Sequence, residues 1–496
     1  MIRVLPEGAL RRSTAVAAAL AALALAGCAD MGGISSQAKL RDASSLGLAT
    51  PAEVPAVAPP GAPAGVDSQW WLAFGDAQLD RLVDQALAGN PNLQVARARL
   101  ARAQAAISVA QAADKPQING SLDLTRQKFS ANYIYPSPLG GSIQETGTLQ
   151  LNASWELDFF GKNRSALDTA IGSANAAAAE VDAARILLAS NVARGYVQWA
   201  RLQDSLVVAR RTLAQREETF KLVRDRVSAG LDTNLQLRQA EGGLPDARQQ
   251  IEALNEQIAL AQHALDALVG QPNATQSLTP PLLAGIKAMG LQPVIPADLL
   301  GRRADIAAAR WRVEAATSDV ANAKTLFYPN INLVAFAGFQ SIGFENLLKS
   351  GSQQWGVGPA VRLPIFEGGR LRANLRGKSA DLDAAIESYN ATVLDAVHDV
   401  ADQVASVQSV VRQQAQQREA QAAAEAAYDL AVQRYSAGLG NYLDVLTAET
   451  TVLAQRRGAV DLAARALDTQ VGLARALGGG WQSPLATAAT PVASHP

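Results

Sequence analysis

The chain has 496 residues, 48% of them hydrophobic and only 18% charged, with a formal net charge of −1. That balance lacks the basic excess that grips a phosphate backbone, which argues against nucleic acid as a partner. A single cysteine excludes an intrachain disulfide.

In chain order, the N-terminus reads as an export signal. Arg3, Arg11 and Arg12 form a basic region, and Ala15 to Ala26 is an unbroken apolar run. The run is too short to span a bilayer, where a helix needs about 20 residues, but it suits a secretory signal. It ends in Leu25-Ala26-Gly27-Cys28, which resembles a bacterial lipobox, so Cys28 is the expected site of a covalent lipid. In lipoproteins of this kind an Asp after the cysteine favours retention at the inner membrane; Ala29 points instead to the outer one. Residues 28–69 then read as a lipidated linker, because the Pro-, Ala- and Gly-rich stretch from 44 to 67 cannot bury a core. The tail, 481–496, looks equally loose.

The body between them is one unit used twice, at 70–280 and 281–480. Ile306 lies 213 residues after Leu93, and at that offset Arg97 meets Arg310 and Pro116 meets Pro329. Arg434 lies 208 residues after Arg226, which aligns Ser228-Ala229-Gly230-Leu231 with Ser436-Ala437-Gly438-Leu439. A period near 200 residues is too long for a solenoid and indicates two halves related by a pseudo-twofold. Within each half the order is helix, strand, strand, very long helix, short break, helix.

The helical segments are rich in Ala, Leu, Gln, Arg and Glu, with apolar residues at three- and four-residue spacing, as in Leu202, Leu206, Ala209 and Leu213. Lys162–Ser228 and Arg370–Ser436 each run 67 residues without a proline. At 1.5 Å per residue each is ~100 Å of helix, and flanking helices such as Thr233–Val269 cover about half of that. Four segments alternate instead with period two. Gly147–Asp158 sets Leu149, Leu151, Ala153, Trp155 and Leu157 against Gln150, Asn152, Ser154 and Glu156. Asn119–Thr125 alternates likewise, Asn330–Gln340 is noisier, and Trp355, Val357, Val361 and Leu363 share a face in the fourth, which also carries Pro359. Alternation fits a soluble sheet with one wet face as well as a membrane barrel. The export signal favours the barrel, but a transmembrane barrel needs at least about 8 strands, so several chains must share one. Trp155, Trp355, Phe160 and Phe366 are then expected in an interfacial belt.

These features resemble the TolC-like outer membrane factor family, in its NodT-type lipoprotein branch. The residues that carry the resemblance are Trp70-Trp71 with Phe74, Asp76 and Leu79; Asn90-Pro91-Asn92-Leu93; Arg302-Arg303-Ala304-Asp305-Ile306; Tyr435-Ser436-Ala437-Gly438; and Tyr442-Leu443-Asp444-Val445-Leu446. The family usually has Pro where this chain has Ala304. The resemblance implies a mainly α protein with a small β-barrel portion. It implies a homotrimer with a twelve-stranded barrel in the outer membrane and a helical tunnel in the periplasm. It also implies docking to a periplasmic adaptor and an inner-membrane pump, and passive conduction of exported substrates. The tips at 228–231 and 436–439 are the expected docking points. Asp444 is expected in an acidic ring at a periplasmic gate, with Tyr435 tying inner to outer helices. Small-molecule efflux and protein secretion by a type I system both remain open.

Two other classes fit the sequence less well. An enzyme needs a nucleophile or acid–base set, and His263, His398 and His495 each lie alone in sequence. A purely structural periplasmic coiled coil has no place for strands with an apolar face. Asp395, His398, Asp399 and Asp402 have metal-ligand spacing on one helix, but a solvated helix face explains them better.

Overall fold

The computed structural model describes residues 31–41, 66–290 and 301–482. Cys28, most of the linker and the tail from 483 lie outside them. Contacts divide the chain into two compact units, one built from Leu100–Ala177 and Ala309–Tyr389 with residues 31–40, the other from the remainder. This division cuts across the sequence repeat, because each half of the repeat supplies parts of both units.

The first unit holds a four-stranded antiparallel sheet in the order β1 (Gln117–Lys128), β2 (Ile143–Glu156), β3 (Asn330–Ile342) and β4 (Gln353–Arg362). β1, β2 and β4 follow the expected alternation, whereas β3 is broken as expected, with Val334 and Phe336 opposite Ser154 and Asn152; most strand ends run slightly longer. The register sets Leu122 opposite Leu149, Leu149 opposite Phe339, and Ala337 opposite Trp355. One face is therefore mostly apolar, turning polar at the hairpin end with Arg126, Glu145, Ser341 and Gln353, and its Leu122, Leu151, Trp355, Val357 and Val361 are exposed. The other face carries Asn119 opposite Asn152, Ser121 opposite Gln150, and Asp123 opposite Thr148. Pro359 lies in β4, opposite Leu333 of β3, and gives the ladder one donor fewer. Phe160 stacks on Tyr328 with ring centroids 5.0 Å apart, and Phe366 is exposed.

The helices of the first half are α1 (Ala77–Gly89), α2 (Pro91–Ala113), α3 (Lys162–Ser228) and α4 (Asn234–Val269). Those of the second are α5 (Ala304–Thr325), α6 (Arg370–Ser436) and α7 (Tyr442–Ala476). Both α3 and α6 are 67 residues long, as the proline-free runs indicate. In the first unit, α5 and the start of α6 pack through Val313, Val320, Phe327, Leu371, Leu375 and Ile386. One stretch expected as loose linker is not loose. Residues 31–41 lie along α6, with Met31, Ile34 and Ala38 against this cluster. A single oxygen of Asp383 accepts hydrogen bonds from Ser36 Oγ (2.6 Å) and from the amides of Gln37 (2.8 Å) and Ala38 (2.9 Å). These donors hold the Asp383 carboxyl below the usual carboxylate range. Apolar contacts at Met31, Ile34 and Ala38 and this acceptor on a distant helix together explain the order of the segment.

In the second unit the family-like residues turn out to be structural. Trp70, Trp71, Phe74 and Leu79 are buried against Val192, Tyr196 and Trp199 of α3. Asp76 caps α1 and accepts the Tyr196 hydroxyl at 2.7 Å. Burial, and then that carboxylate, push the Tyr196 phenol above its ordinary range. Asn90 accepts the amides of Asn92 and Leu93 at the start of α2, while its side-chain amide donates to the Leu268 carbonyl. Arg303 joins Asp305, Asp399 and the Ala476 carbonyl.

Candidate functional site: the hairpin tips and their clasp

Both long helices end the same way. α3 stops at Ser228 and α6 at Ser436, and Gly230 (φ 72°) and Gly438 (φ 74°) take the left-handed conformation that terminates a helix. The Leu231 amide then closes on the Arg226 carbonyl (2.9 Å), and the Leu439 amide on the Arg434 carbonyl (2.8 Å). Each following helix opens with a reciprocal cap. Gln236 accepts the Thr233 amide (2.8 Å), and Asp444 accepts the Asn441 amide (3.3 Å) while donating its own to Asn441 (2.9 Å). Asp444 is thus an exposed helix-capping residue at the position equivalent to Gln236, and among the described residues it makes no ion pair. Four leucines stand out from the tips: Leu231 (65% exposed), Leu235 (66%), Leu439 (70%) and Leu443 (67%). They form two pairs at the 208-residue offset. Leu231 and Leu439 belong to the tips expected from the sequence and Leu443 to the family-like motif beside them, whereas Leu235 stands in neither.

The tips are bound to one another by a clasp in which the repeat is broken. Asp232, directly after the first tip, accepts Arg226 Nε at 2.8 Å and the Tyr435 hydroxyl at 2.5 Å on the same oxygen. The Arg226 guanidinium also lies 4.7 Å from the centroid of the Tyr435 ring. Tyr435 is fully buried, and its ring centroid is 5.8 Å from that of Tyr442. Burial raises the Asp232 carboxyl, but the bonds from Arg226 and Tyr435 and the charge of Arg226 outweigh it and hold it below the usual range. Burial, then the bond to Asp232, push the Tyr435 phenol above its ordinary range. Tyr435 was expected here; Asp232 and Arg226 were not. The signal lay in the offset, which puts Gly440 opposite Asp232 and Val227 opposite Tyr435. At these two pairs of positions the repeat supplies one acid and one phenol.

Further along the helices a second tier adds polar ties. Arg216 of α3 holds Glu449 of α7 at 2.5 Å. Arg456 of α7, itself buried, bonds Glu425 of α6 (2.6 Å) and Gln215 of α3 (2.7 Å). The Tyr442 phenol is pushed up to about 12, by burial first and then by Glu449. The metal-spaced residues of α6 go separate ways: His398 pairs with Asp402 at 3.2 Å, whereas Asp399 joins Arg303 and Arg475. Among the described residues no group of three or more His, Cys, Asp and Glu is placed to hold a metal ion, and no helix is long and apolar enough to cross a membrane.

A family model described as "Outer membrane efflux protein" matches residues 82–271 and 295–479. The fusaric acid resistance protein FusA of Burkholderia cepacia is 40% identical over 75% of this chain and 70% of its own length. The multidrug resistance outer membrane protein MdtQ of Escherichia coli O157:H7 is 33% identical over 84% of this chain and 88% of its own. The crystal structure of the outer membrane protein VceC of Vibrio cholerae superposes with a TM-score of 0.79 at 37% identity, covering 84% of this chain and 99% of VceC. The outer-membrane channel OprN gives 0.79 at 28% identity, over 91% and 98% of the two chains. The chain therefore belongs to the outer membrane efflux protein family. It is an outer-membrane exit duct for efflux, with long periplasmic helices.

Proposed function

We propose that this channel is the exit duct of a tripartite efflux system. It conducts passively what an inner-membrane pump delivers through a periplasmic adaptor that docks on the hairpin tips. The observation that carries this reading is the Tyr435–Asp232–Arg226 clasp: a buried polar lock between two hairpins that end in exposed leucines. Small-molecule cargo is favoured by the relatives, whose names speak of multidrug and fusaric acid resistance. Deleting the gene should sensitise cells to such compounds, and plasmid-borne wild type should restore resistance. Unchanged accumulation of a fluorescent efflux substrate in the deletion strain would refute the duct reading.

The duct works as a homotrimer in this reading. β1 is exposed along its whole length, and α2, 23 residues long, buries only Leu93. A helix with so little packing is not stable in water on its own, and open sheet edges are not tolerated in lipid. Three copies of a four-stranded sheet would close a twelve-stranded barrel, apolar face to lipid and polar face to the bore.

Cys28 lies three residues before Met31, where the chain begins to follow α6, and we assign it a lipid that reinforces attachment to the outer membrane. The intact mass of the mature protein should exceed that of the chain from Cys28 by a diacylglycerol and an acyl group. An unmodified N-terminus would remove this part of the account.

Asp444 adds a second element to the gate. Three carboxylates converging in a narrow pore attract cations. Because Asp444 also caps α7, the informative variant is Asp444→Asn, which keeps a side-chain acceptor and removes the charge. Block of conductance by multivalent cations from the periplasmic side should weaken in that variant. Unchanged block would take Asp444 out of the pore.

A further inference from the structure

Where the strands give way to the helices of the first unit, the chain leaves a cleft of about 250 Å³. It is built from the connections that follow β2, precede β3 and follow β4, so it lies within that one unit. Glu156, Asn330 and Arg362 reach it from the polar face of the sheet, while Leu157, Ile331 and Leu363 continue the apolar face into it. The cleft is therefore open to both faces. The stacked rings of Phe160 and Tyr328 also line it.

The charges that line the cleft do not all find partners. Lys162 is taken by Glu156 at 2.9 Å, and Arg370 by Glu367 at 2.8 Å. Arg362 and Asp158 are left over, and among the described residues neither forms an ion pair. One oxygen of Asp158 accepts the Arg164 amide at 2.9 Å, which leaves the other oxygen free of protein donors among those residues. The repeat shows why Arg362 is alone. At the 206-residue offset it matches Glu156, but Gly368 stands where Lys162 would supply the partner. An unmatched cation and an unmatched anion in one cleft suit a zwitterion better than an ion of either sign.

The surroundings identify the carrier of that zwitterion. Between the lining residues Pro364 and Glu367, Ile365 is 78% exposed and Phe366 90%. Phe159, on the opposite connection, is exposed as well, and the apolar strip continues up β4 through exposed Val361 and Val357. A dissolved solute needs no such surface, whereas an acyl chain does. We propose that the cleft binds the headgroup of a zwitterionic phospholipid of the periplasmic leaflet, with its phosphate on Arg362, its ammonium on Asp158 and its tails along the apolar face of β4. The inference rests on the barrel reading above, in which that face meets lipid.

The test is native mass spectrometry of the full-length protein in detergent, offered phosphatidylethanolamine and phosphatidylglycerol in equal amounts. Wild type should retain the first about tenfold over the second, since only its headgroup carries an ammonium for Asp158. Arg362→Gln should lose about tenfold in retention of both lipids, because both present a phosphate. Asp158→Asn keeps an acceptor for the Arg164 amide and removes the charge, so it should lose the preference alone. Equal retention of the two lipids by wild type overturns the site, and so does unchanged retention in Arg362→Gln. Free phosphoethanolamine that binds as tightly as the whole lipid would also overturn it, by making the cleft a site for solutes. The same spectra give the oligomer mass. A wild-type monomer would sink the barrel reading and this inference with it, whereas a trimer without lipid preference would sink this inference alone.

Discussion

Replacing Asp232 with alanine is expected to raise the mean ion conductance of the reconstituted protein by about an order of magnitude. The wild-type carboxylate accepts two bonds: the one from Tyr435 joins the first tip to the end of α6, and the one from Arg226 holds the acceptor in place within the first hairpin. Hydrogen bonds to a charged group contribute about 1.5–3 kcal/mol each, and 1.4 kcal/mol is a factor of ten in an equilibrium. Loss of Asp232 removes both bonds and leaves Arg226 without its carboxylate. Tyr435→Phe removes one and should open the duct to a smaller extent. The sign of the pH effect follows from the depressed Asp232 carboxyl. Its contribution is complete above the ordinary carboxylate value of 3.8 and drains away only as pH falls through its lower folded value. The raised Tyr435 phenol stays protonated, and so stays a donor, until beyond the ordinary tyrosine value of 10.0. Acid should therefore loosen the closed duct only below the range of normal growth. Planar-bilayer recordings of wild type and both variants, across pH, check each point. Identical conductance in all three would place the constriction elsewhere.

The second large effect is loss of export without loss of assembly. Leu231, Leu235, Leu439 and Leu443 expose apolar side chains at the tips, where an isolated protein has no reason to keep four of them. Burying one leucine against a partner contributes about 1.5–3 kcal/mol, so aspartate at two of these positions should weaken docking by several orders of magnitude. Export should fall to the level of a deletion strain. Valine at Gly230 or Gly438 should act through shape instead, because both glycines have positive φ. Drug susceptibility, measured beside the oligomer mass of each variant, separates docking from assembly. Normal susceptibility in all of them would rule out the tips as the docking surface.

What could be read in the sequence is what local physics dictates. Period-two alternation revealed all four strands, and a proline-free run followed by Gly230 or Gly438 marked where each long helix ends. The clasp was only half legible. Tyr435 and Asp232 are 203 residues apart, and a contact at that separation leaves no periodic trace. It shows only as a breach of the repeat, Asp232 against Gly440. Asp444 was readable as an acid near a tip, but its bond to Asn441 became visible only with the geometry of the cap. The segment at 31–41 was hidden for a related reason: a few apolar residues and an acceptor 345 to 347 residues away order it.

The central claim is that one chain cannot make the duct and three can. Native mass spectrometry of the full-length protein, released from nanodiscs, tests it directly. The account predicts one species with the mass of three mature chains, since four strands leave two edges that lipid does not tolerate. A stable membrane-inserted species with the mass of a single chain would contradict it.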